Sequence, residues 1–173
     1  TARELGLLKE HCARGNSPGL LKELRACRPA SPVYLSLYAA DILVGGDREA
    51  EALVFLKEDP ELFLSAAAFY APRDGKKAAL LLDYILKNAP LSGEQRRKAG
   101  TLLPQVGRAG DALALMNELI AKSPAAASLY NDRGLVYRSL GEAAPAEKDF
   151  VKALELDPGF LEAELDLAAV RLA

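Results

Sequence analysis

A chain of 173 residues that is half apolar, rich in Ala and Leu and free of tryptophan has the make-up of a helical domain, and its length supports one substantial core. The formal charge of −2 lacks the net basic footprint of a nucleic-acid binder. There is no run of 18 apolar residues, and the stretch from Leu62 to Tyr70 is too short to span a bilayer. Neither nucleic-acid binding nor membrane insertion is expected.

Start and stop signals divide the chain into about eleven helices. Helices over 2–14 and 17–27 turn at Gly15-Asn16, and helices over 32–43 and 47–57 turn at Gly45-Gly46-Asp47. In an antiparallel first pair, Cys12 lies near the turn and Cys27 at the far end. That offset is roughly 10 Å along the axis, beyond the ~7 Å Cα separation a disulfide tolerates, so two free, mostly buried thiols are expected.

Helices over 60–71 and 74–87 follow, then 93–106 and 109–121, 126–140 and 143–156, and a last one over 160–172. Ser17-Pro18, Ser31-Pro32, Asp59-Pro60, Ser123-Pro124 and Asp157-Pro158 read as helix openings, the Ser or Asp capping an orphan amide and the proline pre-setting φ. Ser92 with Gln95 three residues on reads as a capping box. Pro104 should bend the helix over 93–106, because it cannot donate to the Gly100 carbonyl.

The later helices repeat. Tyr130, Arg133, Gly134, Tyr137, Ala146, Phe150, Ala153 and Pro158 have counterparts 34 residues earlier in Arg96, Ala99, Gly100, Leu103, Ala112, Met116, Leu119 and Pro124. A further 34 back stand Leu62, Ser65, Ala66, Phe69, Ala78, Leu82, Ile85 and Pro90. Small residues stay small, large apolar ones stay large, and the proline persists. Size preserved slot by slot means a helical hairpin stacked on copies of itself, since one hairpin cannot bury its apolar face alone.

This pattern resembles the tetratricopeptide repeat (TPR) family, whose signature runs Trp-x2-Leu-Gly-x2-Tyr, then Ala, Phe and Pro. Here Tyr130 stands for Trp, Arg133 for Leu and Met116 for an aromatic, the marks of a divergent natural array. The resemblance implies an all-α, right-handed superhelical solenoid of antiparallel hairpins over 1–173. Its repeats are 59–92, 93–126 and 127–160, with two degenerate hairpins in 1–58 and a terminal helix in 161–173 that forms the first half of a further repeat. An unrelated helical pair in 1–58 is the alternative. Gly134, Gly100 and Ala66 are expected where the two helices of a hairpin cross closely.

Reactive chemistry finds no foothold in the pattern. His11 and Cys12 are neighbours and point about 100° apart on a helix. A single histidine and the absence of a CxxC pair exclude the usual zinc sites. Glu142, Glu147, Asp149 and Glu155 read as solvent-facing charges rather than paired catalytic carboxylates. Gly45-Gly46 and Gly107 to Gly110 have no following Lys-Ser/Thr and no preceding strand, so they are turns and not phosphate loops. No catalytic residue, cofactor or metal is expected.

Charge is distributed unevenly. Between Arg73 and Arg108 there are eight Lys/Arg against three acids, and from Glu142 to Arg171 eight acids against three bases. These segments form two solvated faces, or a bipolar surface that orients a partner or favours head-to-tail contact.

The family's first helices line a groove that holds a peptide or partner helix. The resemblance assigns to it Phe63, Tyr70, Arg97, Lys98, Thr101, Asn131, Leu135 and Arg138, a floor grading from aromatic to basic. An extended segment with acidic and apolar groups would suit it, and charge reversal of Arg97 with Arg138 is expected to abolish capture with little thermal cost. A carboxylate clamp of the chaperone-binding kind is not expected, because Asp132 sits beside Arg97 and Lys98 and the first-repeat Lys and Asn are missing.

The implied function is a non-catalytic protein–protein interaction scaffold; the alternative is a substrate-selecting or adaptor arm of a larger enzyme or of a secretion or assembly machine. Thr1 with no leader before it suggests a removed leader or an excised segment, and compartment stays open between cytoplasmic and exported. On the last helix, Leu161, Leu165, Ala168 and Leu172 form one face and Ala163, Leu167 and Val170 nearly the opposite one. The second of these is expected to lack a partner, so that the chain continues or self-associates through it.

Overall fold

The structure, a computed structural model, describes residues 59–172. The expected helices over 2–14, 17–27, 32–43 and 47–57, with His11, Cys12 and Cys27, lie outside the described residues. Among the described residues there are seven α-helices and no strand. They are α1 (Pro60–Tyr70), α2 (Gly75–Asn88), α3 (Gly93–Leu102), α4 (Ala109–Lys122), α5 (Ala127–Ser139), α6 (Ala143–Leu156) and α7 (Leu161–Leu172).

Consecutive helices pack as hairpins: α1 on α2, α3 on α4, α5 on α6. The first helices also touch one another directly, α1 against α3, α3 against α5 and α5 against α7. α4 and α6, by contrast, meet the following hairpin through its first helix.

The small slots are where sequence becomes packing. A Cβ placed on Gly134 would stand 2.6 Å from Phe150 Cε1, and one on Gly100 would stand 2.5 Å from Met116 Cε. A small residue here lets a large side chain of the second helix cross the first: at Gly134 a Cβ would run into the Phe150 ring, while at Gly100 it would displace only the mobile end of Met116. In the earliest hairpin Ala66 and Leu82 fill the equivalent slots, both fully buried. The core runs continuously from Phe63 and Leu64 through Leu81, Leu82 and Ile85 to Leu103, Met116 and Val136, and a second cluster joins Ala146 and Phe150 to Leu167.

Local signals act largely by the expected physics. Ser92 Oγ accepts from the Gln95 amide (3.2 Å) while Gln95 Oε1 accepts from the Ser92 amide (3.0 Å), so the capping box opens α3. At Pro104 the α-helix stops: α3 ends at Leu102 and a 3-10 turn continues over Leu103–Val106, so the interruption is sharper than a bend. Gly107 and Gly141 have φ of 78° and 75°. Around each, the amide of the residue after the glycine reaches back to a carbonyl (Arg108 to Leu103, Glu142 to Tyr137, both 3.0 Å), the left-handed cap that glycine permits.

Two of the proline signals act differently. Ser123-Pro124 and Asp157-Pro158 do not open helices; each begins a turn three residues ahead of one. The Ala126 amide bonds to the Ser123 carbonyl and the Phe160 amide to the Asp157 carbonyl (both 3.1 Å), with proline second in the turn, where its fixed φ is equally at home. Asp157 Oδ1 also accepts from the Gly159 amide at 3.1 Å.

The last helix turns its faces the other way from expectation. Ala163 and Leu167 are buried and Val170 packs against the α6 cluster, so the face from Ala163 to Val170 is the one seated on the preceding hairpin. Leu161, Leu165 and Leu172 are exposed. The physical reason is register: Leu167 falls 34 residues after Arg133, the slot from which α5 reaches back to Asn117 of the preceding hairpin.

Candidate functional site

The first helices form a single wall, and the residues expected to line a groove are sorted by it into three environments. Phe63 is fully buried (0%) and offers no stacking surface. The cause is the composition of α1, whose run Leu-Phe-Leu-Ser-Ala-Ala-Ala-Phe is apolar nearly all round, and such a helix is buried on more than one side. Tyr70 is half-buried, its ring edge-on to Phe69 at 5.3 Å and its hydroxyl accepting from Lys77 Nζ at 3.0 Å.

Lys98 and Thr101 meet in one cleft. It holds about 240 Å³ between α1 and α3, with Glu61, Ser65, Ala68 and Leu102 around them. Lys98 Nζ bonds to Glu61 Oε1 at 2.6 Å across the joint between hairpins, and Thr101 Oγ1 donates to the Lys98 carbonyl (2.9 Å). Both members of the ion pair are nearly half exposed.

Arg97, Asn131 and Asp132 form the polar centre of the wall. The Arg97 guanidinium holds both oxygens of Glu94 (2.9 Å each) and reaches Asp132 Oδ2 on the next first helix at 2.8 Å. Its pKa is held above the ordinary value, first by the Glu94 hydrogen bonds, and Glu94 is correspondingly held below its own. Asp132 shifts upward because burial outweighs the pull of Arg97. The two ends of this pair report different balances for one reason: the arginine keeps a second acid and some solvent, while Asp132 keeps neither.

Asn131 is 5% exposed, and its Oδ1 has no hydrogen-bond partner. A buried polar oxygen without a partner is uncommon in a folded protein.

Leu135 is half-buried against the α6 cluster, and Arg138 donates to Asp166 Oδ1 of α7. Lys98, Arg97 and Arg138 are therefore all engaged at the joints between hairpins. The wall offers neutralised pairs where bare cations were expected.

One polar group was misread from the sequence. Asp149, taken for a solvent charge, is 4% exposed. Arg133 grips it bidentately, both bonds 2.7 Å, and donates to Asn117 on α4 at 2.6 Å. The signal was available in the departure itself: an arginine in a slot that prefers leucine calls for an acid on the facing helix. Among the described residues no group of three or more His, Cys, Asp or Glu is placed to hold a metal ion, and no helix is long and apolar enough to cross a membrane.

Comparison with known proteins defines the fold. No protein-family model matches the chain, and no curated protein matches it in sequence. Solved structures do match: MamA 41-end from Desulfovibrio magneticus RS-1 (22% identity, TM-score 0.54) and the MamA RS-1 ArsTM double mutant (24%, TM-score 0.53). Each alignment covers 83% of this chain and 85% of the other. A further MamA crystal structure aligns at 21% identity and TM-score 0.51, covering 82% and 81%. At these identities the likeness establishes an all-helical, TPR-like hairpin stack.

Proposed function

We propose that the protein is a non-catalytic interaction scaffold of divergent TPR type, a right-handed solenoid over 1–173 with repeats 59–92, 93–126 and 127–160, whose concave wall holds an extended segment of a protein partner. The observation that carries this reading is the asymmetry of the stack. First helices in mutual contact lie on the inner side of a curve, because the layer with closer spacing subtends the shorter arc. That inner wall carries the Lys98–Thr101 cleft and the unpartnered Asn131 amide oxygen, while Arg97 and Arg138 exchange their carboxylate partners for a ligand's.

The test is selection of displayed peptides against the chain, followed by binding to Lys98→Glu/Arg138→Glu. Extended sequences bearing acidic and apolar groups should be enriched, and their affinity for the double variant should fall about tenfold. Enrichment without such a motif, or undiminished binding, would place the partner on another face.

A further inference from the structure

The joint between α1 and α3 is open where the next joint is closed, although both are built from the same slots. Ser65 and Ala68 of α1 are exposed. In the corresponding slots 34 residues on, α3 carries Ala99, fully buried, and Leu102, packed against the core. Across the next joint α5 supplies the buried Val136 where α3 supplies Leu102. The α1/α3 joint therefore has alanine in a slot that is later filled by leucine and valine, and it lacks most of one branched aliphatic side chain.

The space left is the cleft of about 240 Å³, which lies between consecutive first helices, inside the array rather than at an end. Leu64, Ala68 and Leu102 give it apolar walls, and Ser65 and Thr101 contribute small polar ones. Pockets for whole small molecules run to roughly 300–1,000 Å³, so this one suits a single side chain. Its rim carries no net charge, because Lys98 and Glu61 are paired there. Lys98 Nζ gives one of its donors to Glu61 Oε1, and the carboxylate keeps its second oxygen. A donor and an acceptor that already neutralise each other match the C=O and N–H of a peptide unit better than a free ion. An extended chain laid over the cleft turns alternate side chains towards the wall while its backbone meets the rim.

We propose that this cleft is a specificity pocket that takes one Leu, Ile or Val side chain of an extended polypeptide, with the neighbouring peptide unit bonded to Lys98 and Glu61. This rests on the groove reading above and adds to it the class of residue read and the place where it is read.

The test is a pair of peptide selections, one on the chain and one on Ala68→Leu, which supplies in cis the group that the cleft lacks. Ala68 is exposed and leucine is a good helix former, so the circular dichroism should not change. Peptides from the first selection should share a Leu, Ile or Val whose replacement by alanine weakens binding about tenfold. Ala68→Leu should bind the same peptides about tenfold more weakly and be indifferent to that replacement. Peptides bound equally by both proteins, or an aliphatic position still required by Ala68→Leu, would overturn the pocket and leave the scaffold reading standing. A second readout needs no selected peptide. Capped Ser-Ser-Leu-Ser-Ser, titrated into the isotope-labelled chain, should shift the amide resonances of Ser65, Ala68 and Thr101 saturably. The all-serine peptide should not, and Ala68→Leu should abolish the effect. Such shifts beside an empty selection would keep the pocket and remove the long-segment reading, and an empty selection without them would overturn both.

Discussion

The α1/α2 hairpin and the α5/α6 hairpin follow the same 34-residue slots but are held by different forces. In the first, the slots that would face a groove are filled by Phe63 and Ala67, and both are fully buried among aliphatic neighbours. In the other, the same slots hold Asn131 and the half-buried Leu135, with Asp132 and the Arg133–Asp149 pair beside them. One repeat template can thus give its inner wall to packing or to polar recognition, provided the small slots that set the helix crossing stay small.

The largest effect that would sharpen this contrast is at Phe63. Phe63→Ala should cost about 3–5 kcal/mol, the usual range for emptying a buried aromatic site. Leu165→Ala, in the equivalent exposed slot of α7, should stay within about 0.5 kcal/mol of the parent chain. Denaturant midpoints of the two variants make the comparison, and equal losses would mean that α7 is covered as α1 is.

Next comes the ion pair. Asp149→Ala leaves the mostly buried Arg133 without its bidentate acid and should cost about 2–3 kcal/mol. Arg133→Leu/Asp149→Leu restores the slot's apolar preference and should return stability to within about 1 kcal/mol of the parent. If the double variant were as unstable as the single one, the polar hairpin would be held by charge in a way the apolar hairpin is not.

Arg97→Glu should cost less than Asp149→Ala, about 1–2 kcal/mol, and the cost should depend on pH. The substitution sets a third acid beside Glu94 and the buried Asp132, so the thermal cost is not negligible, contrary to the sequence-based expectation. Asp132 has a raised pKa in the folded state. Stability linked to its protonated form is fully present below the ordinary value of 3.8 and is lost as pH rises through the raised one. The penalty of Arg97→Glu should therefore shrink as pH is lowered towards 4, and a pH-independent penalty would argue against contact with Asp132.

Much of this fold is legible in the residues, and the misreadings share a cause. Gly100, Gly134 and the Ser92/Gln95 box depend on local sterics and short-range hydrogen bonds, which spacing alone reveals. Phe63, Asp149 and the two faces of α7 depend on what neighbouring helices present, and slot assignments borrowed from a family average do not carry that. Asp149 looked solvated because its partner is sixteen residues away on another helix. The Ser-Pro and Asp-Pro pairs were ambiguous for a different reason, since proline's φ suits the first position of a helix and the second residue of a turn equally well.

Arg133 also has a mechanical consequence. Its fork ties α5 to α6 through Asp149 and to α4 through Asn117, so three helices from two hairpins share one rigid planar group. The joint between α1 and α3 has the flexible, half-exposed Lys98–Glu61 pair instead. The first two hairpins are also joined by an Arg108–Asp83 pair and by the continuous apolar core. A ligand that changed the angle between the last two hairpins would have to break the mostly buried Arg133 fork, whereas the exposed Lys98–Glu61 and Arg108–Asp83 pairs can exchange their partners for water.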